Sequence, residues 1–221
     1  MASISYTKLI DISQPVTSSS ACFPGDTPFS RSVTLSYGQS GIINLTALTM
    51  SPHVGTHADA PVHIQGSLDN PEDGSVADMP LDSFIGPVYV MNLAVKHDAI
   101  TLSEGMTARL KEIRAQADKV LFRTLDKINY NQFETQYSYI GSDMAEQLGA
   151  LSFKLVGLDT PSVDHIDSKD LETHHILEKH KLVWLENLDL TCAEEGYYQL
   201  LALPLKFLEL EASPLRAVLL K

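Results

Sequence analysis

His53, His57, Asp59 and His63 fall within one short segment, SPHVGTHADAPVH (Ser51–His63). Imidazole and carboxylate groups are the ligands a catalytic zinc ion takes, and imidazole is also the group suited to moving a proton near neutral pH. Metal-assisted hydrolysis is the chemistry such a segment could support. Pro52 and Pro61 exclude a helix here, and position 59 would in any case lie well round the cylinder from 53 and 57. In an extended chain all four positions have the same parity and face one side. Full extension sets His53 and His57 roughly 13 Å apart, at about 3.3 Å per residue. Two ligands of one ion cannot be so distant when each bond is about 2 Å. The chain must therefore fold back between them, and Gly55 is the residue free to take the unusual backbone angle. His57 and Asp59, one residue apart on the same side, could grip an ion more directly. A lone His or Asp on a loop is usually just solvated, but three His and an Asp sharing one side make a metal site the stronger reading.

A second supply of ligands lies in ETHHILEKHKLVWLENL (Glu172–Leu188). Adjacent helical residues point about 100° apart, so at most one of His174 and His175 aims at a given site. His180, near a helix C-terminus, has a simple explanation in the helix dipole. Glu186 ends the apolar run LVWLE, where a carboxylate either sits at the rim in water or holds a cation. Taken alone, the rim is the expected place.

These side chains need elements to position them. YTKLIDIS (Tyr6–Ser13) reads as a first strand, QPVTSSSACFPGDTPFS (Gln14–Ser30) as a polar loop, and INLTALTMS (Ile43–Ser51) as a β segment leading into the His cluster. GSLDNPEDGSVADMP (Gly66–Pro80) is turn-rich and reads as surface loop. GPVYVMNLA, KVLFRTL, KLVGLDT and LVWLEN read as strands. TLSEGMTARLKEIRAQA is a helix capped by Ser103, with Met106, Leu110 and Ile113 at helical spacing; SDMAEQLGAL is a shorter one with Ser142 as cap, and SKDLETHHILEKH is a third. YYQLLALPLKF and PLRAVLLK close the chain as β-like segments. The pattern predicts a single α/β domain over residues 1–221, built on a mixed, β-rich sheet.

Composition narrows the function classes. The 221 residues are 44% hydrophobic and 20% charged, as in an ordinary globular chain long enough for its own core. A net charge of −12 disfavours binding to nucleic acid, whose affinity comes largely from Lys and Arg. The apolar runs are too short for a membrane span, and MASISYTKLIDIS lacks the basic start and apolar stretch of an export signal. Two cysteines, Cys22 and Cys192, suggest neither a disulfide framework nor a thiolate metal site, and they suit a reducing cytoplasm. GQSG (Gly38–Gly41) has the wrong spacing for a nucleophile elbow, and neither HExxH nor a phosphate loop is present.

HVGTHADAPVH resembles the HxGTHxDxPxH signature of the metal-dependent cyclase-like hydrolases, in particular the bacterial kynurenine formamidases (arylformamidases). LIDISQPV, FPGDTPF, GLDTPSVD, the His174–Glu186 stretch and ALPLKF…ASPLRAVL extend the resemblance over most of the chain. It implies a swivelling β/β/α fold, a homodimer or higher homo-oligomer, and two zinc ions per subunit. By the same resemblance His53, His57 and Asp59 hold one ion, Asp59 bridges to a second bound by His174, and Glu186 touches both. His63 is then the catalytic acid/base and His175 structural. The implied reaction is hydrolysis of N-formyl-L-kynurenine to L-kynurenine and formate in tryptophan breakdown, with zinc lowering the pKa of water and His63 protonating the departing arylamine. Phe23 stands where these formamidases typically carry Trp against the substrate; it keeps an apolar face but loses area and an N–H donor. That departure keeps open a sibling hydrolase acting on another amide or a cyclic amide such as isatin. A non-catalytic metal-binding module is the alternative of a different class. His/carboxylate sites accept manganese as well as zinc.

Overall fold

The computed structural model describes residues 6–221; residues 1–5, on which part of the export-signal reading falls, lie outside the described residues. The strands are β1 (Leu9–Asp11), β2 (Ser30–Leu35), β3 (Leu45–Thr49), β4 (His57–Asp59), β5 (Ile85–Asn92), β6 (Ala99–Ile100), β7 (Lys119–Arg123), β8 (Tyr139–Ile140), β9 (Leu155–Leu158), β10 (Val183–Glu186), β11 (Gly196–Leu201), β12 (Ala212–Pro214) and β13 (Val218–Leu220); β5, β7, β9 and β10 are the apolar runs of the sequence. The helices are α1 (Tyr37–Ser40), α2 (Glu104–Arg114), α3 (Ser142–Ala150) and α4 (Glu172–Lys179).

Nine strands make one sheet in the order β1-β13-β11-β5-β7-β9-β10-β4-β12. Its centre, β5-β7-β9-β10, is parallel, and the strands on either side are antiparallel. Parallel strands have both faces covered, and every residue of β9 and β10 is accordingly buried. Successive side chains feed two cores. Val120, Phe122, Val156 and Trp184 pack with Leu110, Met144, Leu148 and Leu177 of the helices. Leu121, Leu155 and Leu185 on the other side join Ile10 and Leu219 from one end of the sheet and Ala58 from the other. The sheet is therefore curled, and a bridge between Ser13 and Leu188 ties the segment after β1 to that after β10. The result is the mixed α/β domain anticipated.

Several local expectations change. Ser103 caps α2 as expected, its side chain accepting from the Met106 N–H. Ser142 is not the cap of α3: Gly141 is, and Ser142 begins the helix. Helix α4 starts only after Leu171, which takes a left-handed conformation (φ 47°), so Ser168–Leu171 is not helical. The segment Gly66–Pro80 contains two short 3-10 turns and sends Val76 and Met79 into the core, so it is no simple surface loop. Of YYQLLALPLKF only the first five residues are strand, within β11 (Gly196–Leu201). Strand β2 lies at the end of the expected loop and beyond it, and pairs with β3 in a separate hairpin whose side chains are almost all exposed.

Candidate metal centre

Strand β4 lies between β10 and β12, and its three residues His57, Ala58 and Asp59 are buried. His57 and Asp59 point to the same side because they are two apart in a strand. Glu186 is the cross-strand partner of His57, which delivers its carboxylate to the same place. A tight turn before β4 brings His53 back: Val54 N–H donates to the Ser51 carbonyl, and Gly55 takes φ 75°. After β4, Pro61 opens a 3-10 turn that ends with His63. Helix α4 supplies His174, which is buried, whereas His175, about 100° further round the helix, is exposed and has no part in the cluster.

Asp59 is the centre of the arrangement. Its Oδ1 lies 3.0 Å from His53 Nδ1 and 3.4 Å from His57 Nε2, while Oδ2 lies 3.8 Å from His174 Nε2 and 4.0 Å from His63 Nε2. Glu186 repeats the division, with Oε2 3.2 Å from His57 Nε2 and Oε1 3.6 Å from His174 Nε2. Glu186 is only 4% exposed, so the rim reading of this residue is corrected. Among the described residues two groups have the reach to hold an ion: His53, His57 and Asp59, and Asp59, His63 and His174. The second shows that distance alone also permits His63 as a ligand.

The donor set fits a cation. His57 Nδ1 faces the Gly55 carbonyl at 2.8 Å, which makes Nδ1 the N–H donor and leaves a lone pair on Nε2. Buried His57 Nε2 and Asp59 Oδ1 have no hydrogen-bond partner. Two such acceptors facing each other in the interior cost about 1–3 kcal/mol each unless something positive lies between them. The titration behaviour points the same way. Burial disfavours a charged His53, but Asp59, Glu211 and Glu186 outweigh it and push its pKa to about 10. Burial is likewise overcome at His174 by Asp164, Asp59 and Glu186, again to about 10. Burial also opposes ionisation of Asp59, yet His53, His57 and His174 hold it well below the usual carboxylate range. Positive charge is drawn into this site, as protons or as metal ions. His63 differs: burial lowers its pKa, with Asp59 opposing. At 29% it also has the most exposed side chain of the six residues.

A cleft opens onto His53, His57 and Glu186. Phe23 lines it and meets Phe133 edge-on, with ring centroids 5.2 Å apart. Three neighbours of the cluster were not singled out from the sequence. Asp164 accepts from the backbone N–H groups of Thr173 and His174 (both 3.0 Å) and from His174 Nδ1 (2.6 Å). It thus caps α4, whose own N-cap residue Leu171 offers no side-chain acceptor, and fixes the His174 tautomer. Trp184 donates its indole N–H to Asp59 Oδ2 at 3.0 Å, and Glu211 lies 3.6 Å from His53 Nε2. His180, assigned to the helix dipole, also pairs with Glu146 of α3 at 2.6 Å. Cys22 and Cys192 are free thiols, and no helix among the described residues is long and apolar enough to cross a membrane.

The Cyclase family model matches residues 10–165. A kynurenine formamidase of Paracidovorax citrulli is 42% identical over 212 residues, covering 96% of this chain and 95% of that protein. Among solved structures, a predicted metal-dependent hydrolase from Bacillus stearothermophilus has TM-score 0.74 at 25% identity, covering 96% of this chain and 97% of the other. Isatin hydrolase A from Ralstonia solanacearum has TM-score 0.79 at 22% identity, covering 96% and 91%, a likeness of fold.

Proposed function

The chain belongs to the Cyclase family, and on that premise we propose that it is a zinc-dependent formamidase, hydrolysing N-formyl-L-kynurenine to L-kynurenine and formate in tryptophan breakdown. The observation that carries the metal reading is the division made by Asp59 and Glu186, each presenting one oxygen to His57 and the other to His174. His53, His57 and Asp59 would hold one ion, His174 a second, and the two carboxylates would lie between the ions and offset their charge. Zinc, or manganese in its place, supplies Lewis acidity that makes water a competent nucleophile near neutral pH and steadies the developing oxyanion. His63 Nε2 would take the proton released as water attacks the formyl carbon and return it to the aryl nitrogen as the C–N bond breaks. Its side chain is the most exposed of the six, which supports this role by leaving the ring accessible to a bound substrate. Phe23 would lie against the aryl ring, in the cleft that also reaches His53 and His57.

The free thiols support a reducing, cytoplasmic setting. The hairpin β2–β3 exposes Val33, Leu45 and Leu48, which supports assembly into a homodimer or larger homo-oligomer, measurable by sedimentation. Phe23 and the fold shared with isatin hydrolase favour, as a second reading, a sibling hydrolase of cyclic amides. The deciding experiment measures hydrolysis of N-formyl-L-kynurenine and of isatin before and after chelation and zinc restoration. The expected result is formamide turnover that chelator removes and zinc returns. Turnover of isatin alone selects the sibling, and metal binding without any hydrolysis selects a binding module. Activity indifferent to chelator sinks the metal reading.

A further inference from the structure

One wall of the cleft is the segment that follows β7, and its charged side chains divide into satisfied and unsatisfied ones. Asp126 lies within ion-pair distance of Lys96 and Arg123. Asp159, deeper in the cleft, spends its carboxylate on Thr124 and Leu125. Lys127 and Glu134, which also line the cleft, form no ion pair with each other or with any other group among the described residues. Glu134 Oε1 accepts from the Gln136 N–H at 2.9 Å, which orients that carboxylate. Between these opposite charges the same segment contributes Ile128 and Phe133 to the apolar lining, and Phe133 meets Phe23.

The segment is held in place. Asp159 accepts 2.7–2.8 Å hydrogen bonds from Thr124 N, Thr124 Oγ1 and Leu125 N at its start. Further on, Tyr130 donates its hydroxyl to Asp189 at 2.6 Å, and its carbonyl accepts from Ala21 N–H at 2.7 Å. An anchored wall presents its groups without a backbone ordering cost on binding. From this pattern we propose that the cleft contains a recognition site for a zwitterionic α-amino acid group, Lys127 receiving the carboxylate and Glu134 the ammonium. The proposal rests on the formamidase reading for its orientation: the aryl ring lies between Phe23, Ile128 and Phe133, the formamide faces the His cluster, and the amino acid arm meets the two charges. Ring, cation and anion give three points of contact, enough to tell one enantiomer from the other. The selected substrates are therefore aryl formamides bearing an L-amino acid arm, in preference to plain aryl formamides or cyclic amides.

The experiment compares wild type, Lys127→Met and Glu134→Gln, all metal-loaded, on N-formyl-L-kynurenine, its D enantiomer and 2′-formamidoacetophenone, which keeps ring and formamide but lacks the amino acid group. Each substitution is expected to raise KM for the L substrate by about three- to tenfold, the size of a partly exposed charge-assisted contact. It should leave kcat and the neutral analogue's kcat/KM within about twofold and erode the L-over-D preference, effects that shrink for wild type at high salt. Equal losses on charged and neutral substrates, or no loss on either, overturn the proposal. So does a wild type with equal KM for both, a result that leaves the formamidase activity standing. If no formamide is hydrolysed, the formamidase reading fails alone when calorimetry finds L-kynurenine binding weakened by both substitutions. Absence of that binding overturns the amino acid site as well.

Discussion

Asp159 places a carboxyl among neutral donors with no cation beside it, and the cost of that placement can be measured. Burial drives its pKa from 3.8 up to about 6, and the hydrogen bonds from Leu125 and Thr124 only partly oppose the rise. A carboxyl that holds its proton more tightly in the fold than in the unfolded chain contributes stability at low pH and loses it as pH rises through about 6. The interval corresponds to about 3 kcal/mol in full, at about 1.4 kcal/mol per pH unit, of which about 2 kcal/mol falls between pH 4 and pH 7. Asp159→Asn keeps the shape and removes the charge. One amide oxygen can accept from both backbone N–H groups, while the amide nitrogen donates to Thr124 Oγ1, which accepts it. Guanidinium unfolding of wild type and variant across this range isolates the effect, because the other titrating groups cancel in the difference. The variant's stability relative to wild type is expected to improve by about 2 kcal/mol from pH 4 to pH 7. A difference that stays flat with pH would show that ionising Asp159 costs no more in the fold than in the unfolded chain, and the argument from desolvation would fall.

The remaining predictions concern the cluster. His57→Ala should lose bound metal and activity together, whereas His63→Ala should keep its metal and lose about 10²–10⁴-fold in kcat; metal analysis beside kinetics separates them, and loss of metal from His63→Ala would make it a ligand. Asp164→Ala removes the acceptor that fixes His174 Nδ1, so metal affinity should fall about 10–100-fold in a competition titration with a chelating dye. Gly55→Ala places a Cβ 2.8 Å from Val16 Cγ2 on a backbone at φ 75°. A loss of about 1–2 kcal/mol in thermal unfolding is expected from the left-handed conformation alone, and an unchanged melting temperature would refute the need for glycine in this turn.

Much of the cluster was legible because four of its six residues, His53, His57, Asp59 and His63, are close in sequence. Parity placed His57 and Asp59 on one side of a strand, and the distance argument demanded the turn at Gly55. Glu186 was ambiguous because a strand's end says nothing about its neighbour; only the pairing of β10 with β4 sets it opposite His57. Asp164 was invisible for a related reason. It caps α4 from outside the helix, across Leu171, so no local capping pattern announces it. Strand β2 was missed because SRSVTL has no buried face and hence no alternation to read. Ser142 looked like a cap by type, yet the chain turns one residue earlier, at Gly141.

The burial of β4 and β10 on both faces has a consequence for how the chain finds its structure. In an amphipathic strand, a slip of one residue turns apolar groups to water and is rejected. Here it exposes nothing, since every residue of both strands is enclosed. Strand β10 has a mechanical stop on one side, where Gly157 leaves room for Leu185 and Leu188 that any Cβ would fill. The three residues of β4 include no glycine to make such a notch; what distinguishes their true alignment is that Glu186 falls opposite His57 and Leu185 opposite Ala58. The polar cluster is then the signal that selects the register of its own strand. A divalent ion present while the chain folds would act as a template for assembly, and refolding under chelation should yield misaligned, slowly correcting chains that ions added afterwards rescue only at the rate of unfolding.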